Sequence, residues 1–251
     1  MDERKLPIEL GVIPIVELVV EIRFSALIEP EGILGMVLNL LREKNVATNV
    51  EKLPITQLPP QIINMDKNLH YQPWYRLKTQ SATYIVAIGP KVLTLHMPGK
   101  DYKTWGAFFE HFKLVFTYFD SLKIIKHIER IGVRYINFFN DKKIPAYDVS
   151  KLNYKISIAD WGVGEGMQFQ TTVKNENVFH TLRLIHQAEI DSLEGKENGD
   201  VVDIDSYQEV PCENNKDKIF NIVQSIHVEH KKAFFKLIGE EVTSLLKPRY
   251  E

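Results

Sequence analysis

Cysteine is the scarcest residue of the chain, and its scarcity excludes several kinds of site. Cys212 is the only cysteine among 251 residues, so the chain can form neither an internal disulfide nor a zinc site built from several cysteines. A single thiol is typical of proteins that work in a reducing compartment. We therefore expect a cytoplasmic location.

An excess of one charge sign and long apolar runs are also lacking. Lys and Arg number 31 against 33 Asp and Glu, so the net charge of −2 gives no overall attraction for nucleic acid or an anionic membrane. No apolar run approaches the roughly 20 residues that cross a bilayer. The first residues lack the basic and apolar regions of a secretory signal. We expect a protein that is neither secreted nor bound to a membrane.

The sequence contains no nucleophile elbow, zincin motif or cofactor fingerprint. Residues 162–166, Gly-Val-Gly-Glu-Gly, resemble a phosphate loop but lack the Lys-Ser/Thr that follows one, so they predict a flexible turn. His227 and His230 do not fit the H-E-x-x-H pattern, and we predict that they lie on a helix surface. These absences favour a binding protein without a cofactor over an enzyme.

Two segments more than a hundred residues apart alternate between apolar and charged residues, as half-buried strands do. In residues 14–24 the charged side chains share one face of the predicted strand. In residues 130–137 the arginines share one face, and Ile131, Val133 and Tyr135 share the other face of the same strand. Directly opposed side chains on neighbouring strands are about 5 Å apart. The pattern predicts a cross-strand charge ladder of Glu17, Glu21, Arg23, Arg130 and Arg134.

Two uses of this set stay open. The guanidinium groups could bind an anionic ligand, since arginine pairs bidentately with carboxylate or phosphate. Alternatively, the set forms ion pairs that hold the strands in register. The carboxylates beside the arginines would compete with an anion, which favours the ion-pair interpretation.

The remaining pattern predicts an α+β fold, with extensive curved antiparallel sheets packed on three main helices. We predict one compact structural unit built of two concatenated sheet-plus-helix units, residues 1–126 and 127–251, for which a helix-grip arrangement is one candidate. Helices are expected over 30–44, from Trp105 to about 119, and over 216–246. Further strands are expected at 75–80, 83–88, 91–97, 152–158, 167–173, 178–187 and 201–207. Residues 46–73 predict an extended connection with at most one short edge strand, and residues 188–200 predict a mobile acidic hairpin loop.

A metal site is one alternative hypothesis. Asp203 and Asp205 share a face of one predicted strand, and His180 and His186 share a face of a neighbouring one. Carboxylates with histidines can hold Mg²⁺ or Mn²⁺ for hydrolysis. The spacing is generic, and solvent-facing strand residues are the plainer interpretation. A metal-dependent hydrolase at Asp203 and Asp205 stays open as an alternative function.

Nucleic-acid or nucleotide binding through Arg23, Arg130 and Arg134 is the other alternative. Several aromatic side chains could stack bases if they were exposed beside basic residues. The aromatic candidates are Trp74, Tyr75, Tyr84, Trp105 and Tyr135, and the basic neighbours are Arg76, Lys78 and Arg134. Such aromatics more often belong to a core, and the near-neutral charge disfavours this alternative.

The two strand segments also carry a resemblance, together with residues 102–108, residues 203–205 and the helix over 234–242. Over essentially its whole length the chain resembles a sporadically distributed family of uncharacterised prokaryotic proteins. The characteristic motifs of that family are an N-terminal PIVExVxEIRF-like strand and a central RIGxRYIN strand. The resemblance implies a bacterial or archaeal origin, a cytosolic location and a link to mobile-element or defence loci. It carries over no catalytic residue.

These observations lead to one functional expectation. We expect a non-enzymatic binding or assembly protein that uses a sheet as an interaction platform. Its expected partner is a second copy of the chain, in a homo-oligomer, or a protein encoded nearby. Nucleic acid is a less favoured partner, and no membrane contact is expected.

Overall fold

The computed structural model describes residues 6–28, 30–44, 46–79, 83–156, 166–192, 195–212 and 215–250. Helices and antiparallel strands are mixed along the chain, so the fold class is α+β, as the sequence predicts. The helices are α1 (Pro30–Glu43), α2 (Pro60–Met65), α3 (Trp105–Ser121) and α4 (Lys216–Leu245). The strands are β1 (Glu9–Leu10), β2 (Ile15–Ala26), β3 (Ala47–Lys52), β4 (Tyr75–Thr79), β5 (Ile85–Gly89), β6 (Val92–Pro98), β7 (Ile125–Phe139), β8 (Gln168–Asn175), β9 (Val178–Ser192), β10 (Gly195–Cys212) and β11 (Pro248–Arg249).

Nine of these strands form one open antiparallel sheet in the order β3-β4-β5-β6-β2-β7-β10-β9-β8. β1 and β11 form a separate pair. β2 and β7, the strands predicted from the two alternating segments, are neighbours in the large sheet. In β2 every second residue from Leu18 to Phe24 is fully buried, which confirms the predicted alternation.

Two predicted elements differ from the structure. The strands extend into the predicted hairpin loop over residues 188–200: β9 continues to Ser192 and β10 begins at Gly195, and residues 193 and 194 lie outside the described residues. No strand occupies the described residues 152–156; a short 3₁₀ helix, Val149–Lys151, precedes them. The backbone N–H of Asn153 donates to the carbonyl of Leu237 in α4, so the acceptor of this hydrogen bond lies in a helix and not in a neighbouring strand.

The other loop predictions have mixed outcomes. The connection 46–73 contains the one expected edge strand, β3, and in addition α2 and two single 3₁₀ turns. Gly166 lies in a turn with φ +74°. The rest of the predicted glycine turn lies outside the described residues.

Backbone contacts divide the chain into two compact units. Unit 1 comprises Met1–Glu17, Arg134–Ser206 and Ile226–Glu251; unit 2 comprises Leu18–Val133 and Tyr207–Ser225. Compact units are regions of dense contact and do not define folding domains. The predicted division between residues 126 and 127 therefore stays a prediction.

Unit 2 has an aromatic core built on α3, as the three- and four-residue spacing predicts. Thr104 caps this helix by accepting the N–H of Ala107. The buried residues of α3 are Phe108, Phe109, Phe112, Val115, Phe116 and Phe119. Phe220 of α4 meets three of these rings edge-on. Burying each large side chain stabilises the unit by about 1.5–3 kcal/mol before entropy is counted.

Unit 1 has its own apolar core, in which strand residues pack against the second half of α4. The core residues are Phe139, Ile144, Leu152, Leu184, Val202, Ile204, Phe234, Ile238, Val242 and Leu246. Gly239 interrupts α4 within this unit, with φ +72° and ψ 177°. Side chains disfavour that conformation, so glycine is required there.

We expect Gly239→Ala to lower the free energy of unfolding by about 1–3 kcal/mol, because a Cβ is strained at this φ and ψ. Urea unfolding would measure the loss. Gly35→Ala in α1 is the matched control: a Cβ there meets nothing within 4 Å, and alanine favours helix. A urea unfolding midpoint that is the same in Gly239→Ala as in the unaltered chain would contradict the strain argument.

Candidate functional site

A row of polar side chains crosses four neighbouring strands of unit 1; we call it the Asp203 row. It consists of Gln170 of β8, Arg183 of β9, Asp203 of β10 and Arg134 of β7. Arg134 donates from Nε to Asp203 Oδ1 at 2.7 Å and from Nη2 to Oδ2 at 2.6 Å. Arg183 Nη1 lies 3.5 Å from the same Oδ2, and its Nε donates to Gln170 Oε1 at 2.6 Å. The row is a continuous cross-strand network centred on one carboxylate.

The Asp203 carboxylate is buried, whereas the two arginines stay accessible. The side chain of Asp203 is 8% exposed, that of Arg134 is 36% exposed and that of Arg183 is 45% exposed. The hydrogen bonds that Arg134 donates to Asp203 raise the pKa of Arg134; burial lowers it, and the charges of Asp203, Asp205 and Glu17 raise it. The row therefore presents two fixed, permanently charged guanidinium groups.

A second polar network lies in unit 2; we call it the Glu21 network. Glu21 Oε1 accepts a hydrogen bond from Arg23 Nε at 2.7 Å and another from Arg130 Nη1. The guanidinium carbon of Arg23 lies 4.7 Å from the centre of the Tyr71 ring, and that of Arg130 lies 3.9 Å from the Tyr207 ring. Each arginine is thus held by a carboxylate and by an aromatic face.

The phenol of Tyr71 extends this network. Tyr71 Oη donates to Glu129 Oε2 at 2.7 Å. That hydrogen bond, with burial and the negative charge of Glu129, raises the pKa of Tyr71. The network contains two arginines and two carboxylates, so its formal charges balance.

The structure places four of the five predicted ladder residues, Glu21, Arg23, Arg130 and Arg134, in these two networks. Arg130 pairs with Glu21 on the neighbouring strand, so the predicted cross-strand contact is confirmed. Arg134, however, donates two hydrogen bonds to Asp203 of β10, and the charge of Glu17 of β2 also raises the pKa of Arg134. Whether these residues bind a ligand stays a prediction.

The structure does not assemble the residues of the metal hypothesis. Both oxygens of Asp203 accept hydrogen bonds from Arg134. His180 is buried against Ser206, which lies on the opposite face of β10 from Asp203 because side chains alternate along a strand. In the part of the chain that the structure describes, no three His, Cys, Asp or Glu side chains are grouped as a metal would require.

The structure reveals a buried histidine network in unit 1. The hydroxyl of Ser206 lies 2.8 Å from His180 Nδ1 and 2.9 Å from His230 Nδ1. Tyr135 Oη lies 3.1 Å from His227 Nδ1, and the Tyr135 ring lies 4.5 Å from the ring of His230. All five side chains are buried. The network joins β7, β9 and β10 to α4.

Burial keeps these histidines neutral. Burial, and to a smaller degree the charge of Lys231, lowers the pKa of His227 to about 3. Burial lowers the pKa of His230 well below its ordinary value, with smaller contributions from His227 and His180. Burial also lowers the pKa of His180 against the smaller effect of the Glu229 charge.

The prediction that His227 and His230 lie on a helix surface is wrong. His230 stands four residues after Ile226 and four before Phe234, so it continues the buried stripe of α4. That spacing is the sequence signal for its burial. His227 lies on the same side, one residue after Ile226.

A further polar cluster gathers around Asp200, and the sequence did not single it out. Asp200 Oδ1 accepts from His186 Nδ1 at 2.6 Å and from the N–H of Gln187 at 3.1 Å; Oδ2 accepts from Tyr147 Oη at 2.8 Å. Gln187 has φ +55°, a left-handed conformation within β9, and its N–H points at the carboxylate. The adjoining cavity of about 10 Å³ has room for about one water molecule. The cluster fixes the His186 ring, but this cavity is too small for an organic substrate.

The aromatic residues considered for base stacking belong mostly to the interior. Tyr84 and Tyr135 are buried, and Trp105 stacks on Phe109 while its Nε1 donates to Gln224 at 2.6 Å. Trp74 and Tyr75 are half-buried. The candidates therefore provide no continuous exposed stacking surface.

No family model and no curated protein matches the chain. The resemblance to the prokaryotic family thus stays an expectation. Within the described ranges, no helix combines the length and apolar character that a bilayer crossing needs.

Proposed function

We propose that the protein is a non-enzymatic binding and assembly protein, cytoplasmic and prokaryotic, whose sheet is an interaction platform for other protein chains. The partners are a second copy of the chain and a protein encoded near its gene. The link to mobile-element or defence loci belongs to the same proposal.

The Asp203 row is the observation that supports this proposal. Arg134 and Arg183 are more than one-third exposed, yet hydrogen bonds to Asp203 and Gln170 fix their guanidinium planes. A pre-positioned arginine loses little side-chain entropy when it donates its remaining N–H groups to a partner. Arginine is enriched among the residues that dominate protein interfaces. The row suits a partner that offers carbonyl oxygens.

The charge balance favours protein over nucleic acid. The guanidinium groups of the row stand among carboxylates, since the charges of Asp203, Asp205 and Glu17 all act on Arg134. A phosphate backbone requires net positive surfaces. No contact favours the metal-dependent hydrolase either, because Asp203 already accepts two guanidinium hydrogen bonds.

Co-expression with the proteins encoded beside its gene tests the proposal. We expect one of them to co-purify with the tagged full chain, and Arg183→Glu to reduce the recovered complex at least about tenfold, as the loss of a good interface arginine does. Lys100→Glu, the same charge change at an exposed turn residue, is the matched control and should leave recovery unchanged.

The rival functions are tested on the same preparations. Nucleic-acid binding predicts a fluorescence-anisotropy change with single-stranded RNA or DNA at low salt that disappears in Arg134→Ala. Finding that change while neither a neighbour protein nor a second copy associates would overturn the proposal.

A further inference from the structure

The outer edge of β8 is an open strand edge of unit 1. β8 is the last strand of the sheet, and no strand pairs with its outer edge among the described residues. It runs in unbroken register with β9, from Gln168 opposite Ile185 to Asn175 opposite Val178. Most of its side chains are exposed. A long, regular edge of this kind is a template for another strand.

The backbone direction of each β8 residue follows from one hydrogen bond. His186 N–H donates to the carbonyl of Met167, so residue 167 faces β9 with its backbone groups. Backbone direction alternates along an antiparallel strand. The N–H and C=O groups of Gln168, Gln170, Thr172 and Lys174 therefore point outward from the sheet.

The opposite edge of the sheet is built differently. β3 has a register irregularity between Ala47 and Asn49, and it has only six residues. Short, irregular edges resist strand addition. β8 is longer, with eight residues, and its register is unbroken. It contains no proline and carries one charge, Lys174, near its end.

We propose that β8 pairs antiparallel with β8 of a second copy, around a two-fold axis at Thr171. Outward-facing residues must pair with each other, which places Gln168 opposite the second copy's Lys174 and Gln170 opposite its Thr172. Every outward N–H and C=O of these residues then has a partner. This inference names one partner of the proposed assembly function and rests on it.

The side chains of β8 suit this register. On the face toward α4, Phe169 stands opposite Val173 of the second copy, and Val173 is 44% exposed in the single chain. An aromatic and a β-branched residue form a favourable cross-strand pair. The only charge, Lys174, meets a neutral glutamine, and no like charges are opposed. Strand β8 is thus complementary to itself.

The pairing would continue the sheet from one copy into the next with the same face outward. Gln170, the β8 member of the Asp203 row, lies beside Thr172 of the second copy in this register. The two rows would then lie on one continuous face, so a partner that binds the rows would meet two copies of them.

Symmetric disulfide trapping tests the register in the full chain with Cys212→Ser. Thr171→Cys places the thiol of residue 171 opposite the same thiol of the second copy. The two residues form a non-hydrogen-bonded pair, in which the Cβ atoms are about 4.5–5.5 Å apart. We expect a covalent dimer under mild oxidation. In Thr172→Cys the thiol faces Gln170 of the second copy, so this variant should form little covalent dimer. Equal trapping of both variants, or of neither, overturns the proposed pairing.

A second measurement does not depend on cysteine. Thr172→Pro removes an outward N–H and the exposed side-chain contact with Thr181, and it leaves the backbone hydrogen bonds to β9 intact, since proline is tolerated where the N–H faces away from the sheet. We expect sedimentation velocity to show at least a tenfold weaker dimer, with the circular dichroism spectrum unchanged. A dimer as strong as that of the unaltered chain would refute the role of β8.

Hydrogen exchange separates the possible occupants of the edge. A second copy predicts that the amides of Gln168, Gln170 and Thr172 become protected as concentration rises. Protection that is independent of concentration would mean that the chain covers its own edge, and the inference would fail. If the neighbour protein still co-purifies and depends on Arg183, the proposed function would survive that failure.

Discussion

The free energy of unfolding, measured with urea, is expected to be about 3–6 kcal/mol lower at pH 5 than at pH 7, because buried histidines cannot take up protons in the folded chain. An ordinary histidine has a pKa of about 6.5 when unfolded. Burial lowers the pKa of His180, His227 and His230 in the folded chain. Below about pH 6.5 the unfolded chain therefore binds more protons, and stability falls by up to about 1.4 kcal/mol per pH unit for each histidine.

The groups around the network make this loss hard to offset. Lys231 stands beside His227 and disfavours its protonation. Glu229 favours a charge on His180, but burial outweighs it. Tyr135 and Ser206 are neutral partners. Charging one ring also repels the next, since His230 lies close to both other histidines.

His230→Asn tests the origin of the effect. Asparagine can keep the hydrogen bond that Ser206 makes with Nδ1, and it does not titrate, so the pH dependence should fall by about one-third if the three histidines contribute equally. His127→Asn is the control at a ring that is 43% exposed, and it should leave the slope unchanged. A free energy of unfolding that stays flat from pH 7 to pH 5 would contradict the argument.

Local periodicity predicted the parts of the fold that depend on neighbouring residues. The aromatic spacing of α3 and the alternation of β2 each place a buried face in a short stretch of sequence, and both are confirmed. Strand order depends on contacts between distant residues. The alternation of β7 therefore predicted a charged partner for Arg134, but it did not show that β10 would supply it through Asp203.

The predicted loop over residues 188–200 is too long for a similar reason. Acidic residues and two glycines favour a turn when each residue is considered alone. In the sheet, β9 and β10 are neighbours, and pairs such as Lys196 Nζ with Glu189 Oε1 join them. Strand pairing thus overrides the local preference.

The buried histidines show a limit of a different kind. His180 and His230 became candidates for metal or surface positions because polar residues are usually exposed. Here each meets the Ser206 hydroxyl, so burial leaves these polar nitrogens satisfied. Only the order of β7, β9, β10 and α4 brings the partners together.

Asp203→Ala is expected to lower the free energy of unfolding by about 2–3 kcal/mol. The substitution removes the carboxylate that holds Arg134 through two hydrogen bonds, and it leaves a half-buried guanidinium without them. The estimate lies below the range for a fully buried ion pair because solvent reaches 36% of the Arg134 side chain.

A double-mutant cycle with Arg134→Ala separates the pair from its surroundings, and we expect a coupling energy of about 1–3 kcal/mol. Glu189→Ala breaks the exposed pair with Lys196 and should cost less than about 1 kcal/mol. Adding Mn²⁺ should not raise the unfolding temperature of the unaltered chain, because the guanidinium of Arg134 occupies both oxygens of Asp203. A Mn²⁺-dependent rise that disappears in Asp203→Asn would instead favour the hydrolase.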